Sequence, residues 1–538
     1  MSEELDVVVV GGGPAGSTAA AIAARRGLSV LLLEGGTHPR PHVGESLLPG
    51  IIPILEAMGA LEAVEAAGFR RKSGSTHHGW GKTPAWDLWF RDSEAYDHAW
   101  LVERARFDAI LFESAQRAGA RCLTRARATS VIFEGERAVG VRYTHQDAEH
   151  EVRARFVIDA SGQPGLVARA RDLREPLEGL RHLAGWAHWE AAACLPAPRE
   201  DQAFFIASAT HWTWMFPFGG GRCSIGVVTL DGRTDDYDAL IEANTELREV
   251  IGPDARRASP VRWERDWSYR HREVAGPGWL ACGDAAGFID PVLSTGVLLA
   301  MHAGWSAARA IADVREGSAE EGAALEAYTR AHRTLFGDLL RIVRFFYGQN
   351  LTNDDYFWQA KSILLANDDT SLKPQRAFLV LTSGLVGNLA FDQRREQTRD
   401  ARVERTERGR SLDEATETSI PETLGFVCLA LSCDVRALGL EGAPATLHLL
   451  IEPTDSAAPT LFRTEHFDVN CLAPRFGNDP IRVPELAPVL ESVHALVRSL
   501  DTHDDASLSR FWARARGPLA ELVATFPPFL TLVRVFGE

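Results

Sequence analysis

Three stretches of this chain hold residue types able to do chemistry. The first is Gly68-Phe69-Arg70-Arg71-Lys72-Ser73-Gly74, followed by Trp80-Gly81 and Pro84-Ala85-Trp86. An amine held in an apolar, tryptophan-lined setting loses hydration, so its pKa falls and it reacts readily. Lys72 and Lys82 both fit that description, and most lysines are simply solvated. The second stretch is His211-Trp212-Thr213-Trp214-Met215-Phe216-Pro217-Phe218. At strand period Trp212, Trp214, Phe216 and Phe218 share one face, and Pro217 suits an edge or a strand end. Such a face either packs on a core or walls a passage. The third is Asp290-Pro291-Val292-Leu293-Ser294-Thr295-Gly296, running into a helix. Bare amides near Ser294, Thr295 and Gly296 bind an anion, hold a cofactor carbonyl or cap the helix.

These groups need a scaffold, and the N-terminus supplies one. Residues 6–34 read as a buried strand, a glycine turn, a helix, a second strand and a closing acid. Gly11, Gly13 and Gly16 form G-x-G-x-x-G directly after the apolar run 7–10. One glycine serves the tight turn, one the approach of a pyrophosphate, and one helix–strand packing. Pro14 and Ala15 open the helix whose bare N–H groups face that pyrophosphate. Glu34 stands where an acid hydrogen-bonds a ribose hydroxyl. The pattern predicts binding of an ADP-containing dinucleotide. Two more acids end apolar strands, Asp159 after 156–158 and Asp284, in Gly283-Asp284-Ala285-Ala286, after 279–282. Each is placed to accept hydrogen bonds from sugar or ribityl hydroxyls. Arg104, heading a helix, matches a phosphate bidentately.

The organisation predicted around this scaffold is a nucleotide domain over 1–340 and a C-terminal domain over 341–538. The first is interrupted by strand-rich inserts at about 68–103 and 181–275, with a hairpin across 219–221, which together form a second sheet over the cofactor. The C-terminal domain reads as mostly helical, to about 388 and again over the last 50 residues, with strands at about 424–471. Between Asp392 and Arg410 seven arginines face five acids. That run reads as a solvated, salt-bridged helix face, with carrier-protein docking as the sharper alternative.

Composition excludes several classes. A net charge of -16 over 538 residues argues against a nucleic-acid partner. No apolar run reaches the length of a bilayer span, and the chain enters its first strand without a signal peptide, so a cytoplasmic location is expected. Seven scattered cysteines, none in C-x-x-C, suit reduced thiols and no metal site.

GGGPAG at the start, GES at 44–46, ER at 103–104 and GDAAG at 283–287 resemble the FAD-binding monooxygenase-type fold over about residues 5–340. The resemblance implies an α/β architecture: a Rossmann-like FAD domain of the aromatic-hydroxylase type, an inserted antiparallel sheet on the substrate side and a C-terminal mixed domain. It adds Glu45, Ser46, Asp290 and Pro291 to the cofactor residues. Within that fold, W-x-W-x-x-P at 212–217 resembles the signature of flavin-dependent halogenases, with Phe216 where the family usually has Ile. There the motif is understood to obstruct the tunnel beside the flavin. The G-F-x-x-K-x-G…W-G segment resembles that of the phenol- and pyrrole-directed branch, and this match assigns the essential lysine to Lys72. Tryptophan halogenases carry a catalytic Glu just before S-T-G; this chain has Leu293 there, which points away from free tryptophan.

The implied reaction uses FAD reduced by a separate NAD(P)H-flavin reductase, forming a C4a-hydroperoxide with oxygen. Chloride or bromide held at Ser294, Thr295 and Gly296 becomes hypohalous acid, which passes Trp212 and Trp214 to Lys72 and then to an electron-rich ring. The substrate is a small phenolic or pyrrolic aromatic, free or tethered to an acyl or peptidyl carrier protein, in secondary metabolism. Asp290 matches an aspartate that in one type of that branch is esterified to the flavin. His77, His78 and Glu45 are the candidates for a general base. The rival readings are an aromatic hydroxylase, a geranylgeranyl-reductase-like enzyme, and a non-enzymatic flavin-binding scaffold.

Overall fold

The computed structural model describes residues 5–80, 85–93, 95–208, 210–230 and 236–347, then Phe378, Leu379, Thr382, Ser383 and Leu385, and five later strands. The chain opens with β1 (Leu5–Val10), α1 (Pro14–Arg25) and β2 (Val30–Leu33). Short helices α2 (Ile52–Ala57) and α3 (Leu61–Ala66) precede β3 (Arg70–Lys72), β4 (Gly74–His78), β5 (Trp86–Trp89) and β6 (Ala99–Leu101). Next come α4 (Arg104–Arg117), β7 (Arg121–Leu123), β8 (Ala126–Glu134), β9 (Arg137–His145), β10 (Ala148–Asp159) and α5 (Leu166–Arg171). Strands β11 (Arg174–Glu190), β12 (Ala203–Ala207), β13 (His211–Gly219) and β14 (Arg222–Thr229) follow. Helices α6 (Tyr237–Ala243) and α7 (Thr245–Ile251) come next, then β15 (Arg256–Arg257) and β16 (Arg262–His271). The last are β17 (Ala275–Gly276), β18 (Trp279–Ala281), β19 (Gly287–Phe288), α8 (Gly296–Arg315) and α9 (Glu321–Tyr347).

Two sheets organise these elements. The first runs β17-β18-β10-β1-β2-β7, with β8 and β9 joined to β10. From β18 to β7 its strands are parallel, so both faces are covered and β1 reads as an unbroken apolar run with four fully buried valines. The second runs β19-β16-β11-β14-β13-β12-β4-β5, with β15 on β11. All its pairs are antiparallel except β12 with β4. Strand alternation gives this sheet two different faces. Ala187, Phe204, Met215, Ile225 and Val227 pack with Tyr237, Ile241, Leu247 and Ile251 of α6 and α7. Trp186, Phe205, Trp212, Trp214 and Phe216 belong instead to the core shared with β1, α1 and α8.

Small residues bring α1 and α8 to backbone distance. A Cβ on Gly304 would stand 2.2 Å from the Ala15 carbonyl, and one on Gly283 3.1 Å from the Ala15 Cβ. The turn Gly283–Ala285, the start of α1 and the first half of α8 are thereby held together.

The chain divides into two compact units, one of residues 1–366 and 372–389, the other of 367–371 and 390–538. In the second unit, β20 (Phe426–Cys433) lies between β21 (Ala445–Ile451) and β24 (Leu530–Gly537), antiparallel to both; β22 (Arg475–Phe476) pairs with β23 (Asp479–Pro480). The closing residues, expected as helix, are thus a strand: Leu-Thr-Leu-Val-Arg-Val-Phe is rich in β-branched and aromatic residues. The arginine-rich run 392–410, the third strand expected near 461–471, the helix expected over 348–377 and Lys82 lie outside the described residues.

Candidate active site

The dinucleotide cradle is built where β1 turns into α1. Gly11 has φ +100°, a backbone conformation that a side chain strains, and its Cβ would meet the Ala160 carbonyl at 2.2 Å. A Cβ on Gly16 would stand 1.8 Å from the Gly11 carbonyl, so only glycine lets the helix lie on the strand end. Gly13 differs: its Cβ would meet only Arg40 Nη2, at 3.9 Å, leaving room in front of the amides of Ala15 and Gly16. Pro14 at the first helical position sacrifices no donor the helix would use. Open space at a helix start, framed by two obligate glycines, fits the pyrophosphate of a dinucleotide.

The acids and the arginine around the cradle have partners within the protein. Glu34 accepts from the Gly12 amide at 2.8 Å and the Gly36 amide at 2.7 Å, so it shapes the glycine loop. Asp159 accepts from Ser161 N at 3.1 Å and Oγ at 2.6 Å through one oxygen and from Val167 N at 2.8 Å through the other. Its carboxylate therefore fixes the loop after β10. Arg104, expected at phosphate, is buried and bidentate to Asp108 at 2.7 and 2.9 Å, and it donates to the Val43 carbonyl at 2.6 Å. It braces the turn before Glu45; the i,i+4 spacing of Arg104 and Asp108 was the available signal. Burial pushes the Asp284 carboxyl up to about 6, with Arg104 opposing.

Lys72 lies at the heart of the second group. It sits in β3 opposite Ala99 of β6, is 2% exposed, and stands over the Phe90 ring at 5.0 Å. Its Nζ donates to Ser46 Oγ at 2.8 Å and to the Leu47 carbonyl at 3.2 Å. Burial pulls its pKa down to about 7. Ser46 Oγ also accepts from Ser294 Oγ at 3.1 Å. Ser294 has φ +57°, a strained conformation for serine, which aims it back from the start of α8. Beside it the Thr295 hydroxyl is buried without a hydrogen-bond partner among the described residues, and a Cβ on Gly296 would meet nothing within 4 Å. A long helix start, an unpartnered hydroxyl and open space suit an anion. Ser46, expected at the cofactor, thus joins Lys72 to this corner.

The neighbouring carboxylates are also engaged. Glu45 Oε1 lies 2.8 Å from His188 Nε2, and this hydrogen bond raises the histidine's pKa. Asp290 accepts from Val292 N, from His182 Nδ1 and, through both oxygens, from Tyr347 Oη, all at 2.9 Å. Tyr347 Oη in turn accepts from Trp212 Nε1 at 3.0 Å. Pro291 turns the chain so that its carbonyl accepts from Ser294 N at 2.9 Å. His182, His188 and Tyr347 come from β11 and α9, and nothing in their local sequence marked them.

The W-x-W strand contributes a ladder of rings. Direct cross-strand partners run Trp86, His77, Phe205, Trp214, Gly226 and Trp186, from β5 across to β11. Trp214 lies flat over Gly226, where a Cβ would stand 2.1 Å from its ring. Trp212 and Phe216 flank Trp214 with ring centroids 5.7 and 5.8 Å away. After Pro217 the register with β14 shifts before the last pair, Gly219 with Arg222.

The fold and the cradle define a dinucleotide-binding protein, and comparison with known proteins narrows the class. Over residues 6–90 and 89–378 the chain matches the tryptophan halogenase family, and it belongs to that family. A protein from Chondromyces crocatus named tryptophan 2-halogenase is 34% identical over 374 residues, 66% of this chain and 70% of that one. The 1H-pyrrole-2-carbonyl-[peptidyl-carrier protein] chlorinase of Pseudomonas fluorescens is 32% identical over 331 residues, covering 56% and 74%. Among solved structures, the myxobacterial chondrochloren halogenase CndH, described as a variant of FAD-dependent halogenases, superposes with a TM-score of 0.61 at 32% identity over 71% of this chain and 96% of that one. The enzyme is an FAD-dependent halogenating oxidoreductase. Among the described residues no helix is long and apolar enough to cross a membrane.

Proposed function

We propose that this halogenase places chlorine or bromine on an electron-rich phenolic or pyrrolic ring, free or carried on a carrier protein, through Lys72. The observation that carries the reading is the chain of short contacts from Lys72 Nζ through Ser46 Oγ to Ser294 Oγ, next to the unpartnered Thr295 hydroxyl. Gly11, Gly13, Gly16 and the start of α1 would hold the FAD pyrophosphate. When bound in reduced form, supplied by a separate flavin reductase, FAD delivers the activated oxygen that turns halide into hypohalous acid. Thr295 and Gly296 hold the halide at the start of α8. The buried ring face of Trp212, Trp214 and Phe216 excludes water, which protects a reactive oxidant from loss. Lys72, with a pKa of about 7, is available both as ammonium, to hydrogen-bond the hypohalous acid, and as amine, to take the halogen with loss of water. Leu293 supplies no carboxylate before Ser294, which supports a phenol or pyrrole over free tryptophan.

The test is a mass-spectrometric product assay with FAD, a flavin reductase, NADH, oxygen, halide and a panel of phenols and pyrroles. A halogen isotope doublet on product, lost in Lys72→Ala, supports the reading. Oxygen gain without halogen refutes it.

A further inference from the structure

The histidine in the ring ladder is built unlike the rest of the core. His77 is 3% exposed and stacks between Trp86, at 4.5 Å and 15°, and Phe205, at 5.0 Å and 11°. Trp80 and Phe346 meet it edge-on at 6.4 and 5.7 Å. Its Nε2 lies 3.0 Å from Ser75 Oγ. Its Nδ1 is buried and has no hydrogen-bond partner among the described residues, and neither has Trp80 Nε1 beside it. A buried polar atom without a partner costs about 1–3 kcal/mol, and a ligand that donates to Nδ1 and accepts from the indole N–H would relieve both.

The other base candidates are otherwise employed. Glu45 is bonded to His188, and His78 lies on the opposite face of β4, the next residue along the strand. His77 is close enough to Lys72 for that charge to act on its ring.

We propose, on the strength of the halogenase reading above, that His77 Nδ1 is the catalytic base that binds and accepts the hydroxyl proton of a phenolic substrate seated between it and Lys72. With Nε2–H donating to Ser75 Oγ, the Nδ1 lone pair is left to accept from the phenol O–H. As the halogen–oxygen bond of hypohalous acid breaks and a carbon–halogen bond forms, the oxygen leaves as hydroxide and takes a proton from the Lys72 ammonium to give water. The ring carries positive charge at that moment, so its O–H is strongly acidic, and the O–H electron pair enters the ring as the proton moves to Nδ1. Loss of the ring proton to solvent restores aromaticity and leaves a halophenolate, which takes a proton from solvent, while His77 passes its proton to Lys72 and restores the ammonium. The net change is one phenol and one hypohalous acid to one halophenol and one water. A weak base suffices because the acid it meets is a cation. This matches an imidazole whose pKa burial has lowered to about 3.

The test compares a phenol with its O-methyl ether, which keeps the ring and lacks the proton. The wild-type enzyme is expected to bind the phenol more tightly, read by quenching of tryptophan fluorescence, and to halogenate it faster. His77→Phe keeps a ring in the stack and removes both nitrogens. It should slow the phenol about 100-fold, the usual reach of a positioned base, and leave the ether within twofold. His77→Asn, with an amide near the Nδ1 position, should recover part of the loss. Flavin binding and peroxide output without substrate should stay at wild-type level in both. A variant in which phenol and ether fall together, or in which neither falls, overturns the assignment. Wild-type enzyme that halogenates no ring, while binding phenol better than ether, overturns the halogenase reading instead.

Discussion

Replacing Lys72 by methionine should make the protein more stable and inactive, and the size of the effect follows from burial. The folded-state pKa of Lys72 is about 7 against 10.5 for the free side chain. Each pKa unit is about 1.4 kcal/mol, so holding this amine in the core costs roughly 5 kcal/mol at neutral pH. Its hydrogen bond to Ser46 returns about 1 kcal/mol. Methionine fills similar volume without a charge to desolvate, so Lys72→Met should gain about 4 kcal/mol at pH 7, roughly 5 °C in apparent Tm for a unit of this size. The sign with pH is fixed. Between the folded pKa near 7 and the unfolded value of 10.5 the unfolded chain binds the extra proton, so wild-type stability rises with pH. The advantage of the variant should therefore shrink to about 1 kcal/mol by pH 9. Differential scanning fluorimetry of both proteins at pH 7 and 9, beside the product assay, measures all of this. Equal melting temperatures at both pH values would refute the buried amine, and intact halogenation would refute its role.

Gly13→Val should keep the fold, since its side chain enters open space, but abolish FAD binding; a variant purified yellow refutes the pyrophosphate site. Ser46→Ala removes the closest partner of Lys72 Nζ, at 2.8 Å, and should lower halogenation about tenfold with peroxide output unchanged. Titration of halide would show an unaltered KM if Ser46 acts on the lysine and not on the anion. Asp290 accepts from Val292 N, His182 and Tyr347, which favours a free carboxylate over an ester. Acid precipitation should therefore release all flavin to the supernatant, and yellow pellets would show a covalent link.

What the sequence determined by itself was local. The glycine spacing of 11, 13 and 16 is legible because a strand-to-helix turn imposes steric limits within six residues. Trp212 and Trp214 share a face by strand period alone, and Gly296 begins a helix where the pattern predicted one. Lys72 was legible through family resemblance; its burial and its bond to Ser46 were not. Tertiary structure decided every contact between distant segments. Arg104 reached the Val43 carbonyl, Glu34 the Gly12 amide, and Asp290 His182 and Tyr347, because a buried charge takes the nearest group able to neutralise or hydrogen-bond it. The closing segment became a strand because the β20 edge was there to pair with it. Only the sheet register could set His77 between Trp86 and Phe205, since those three residues come from three strands whose pairing no local pattern encodes.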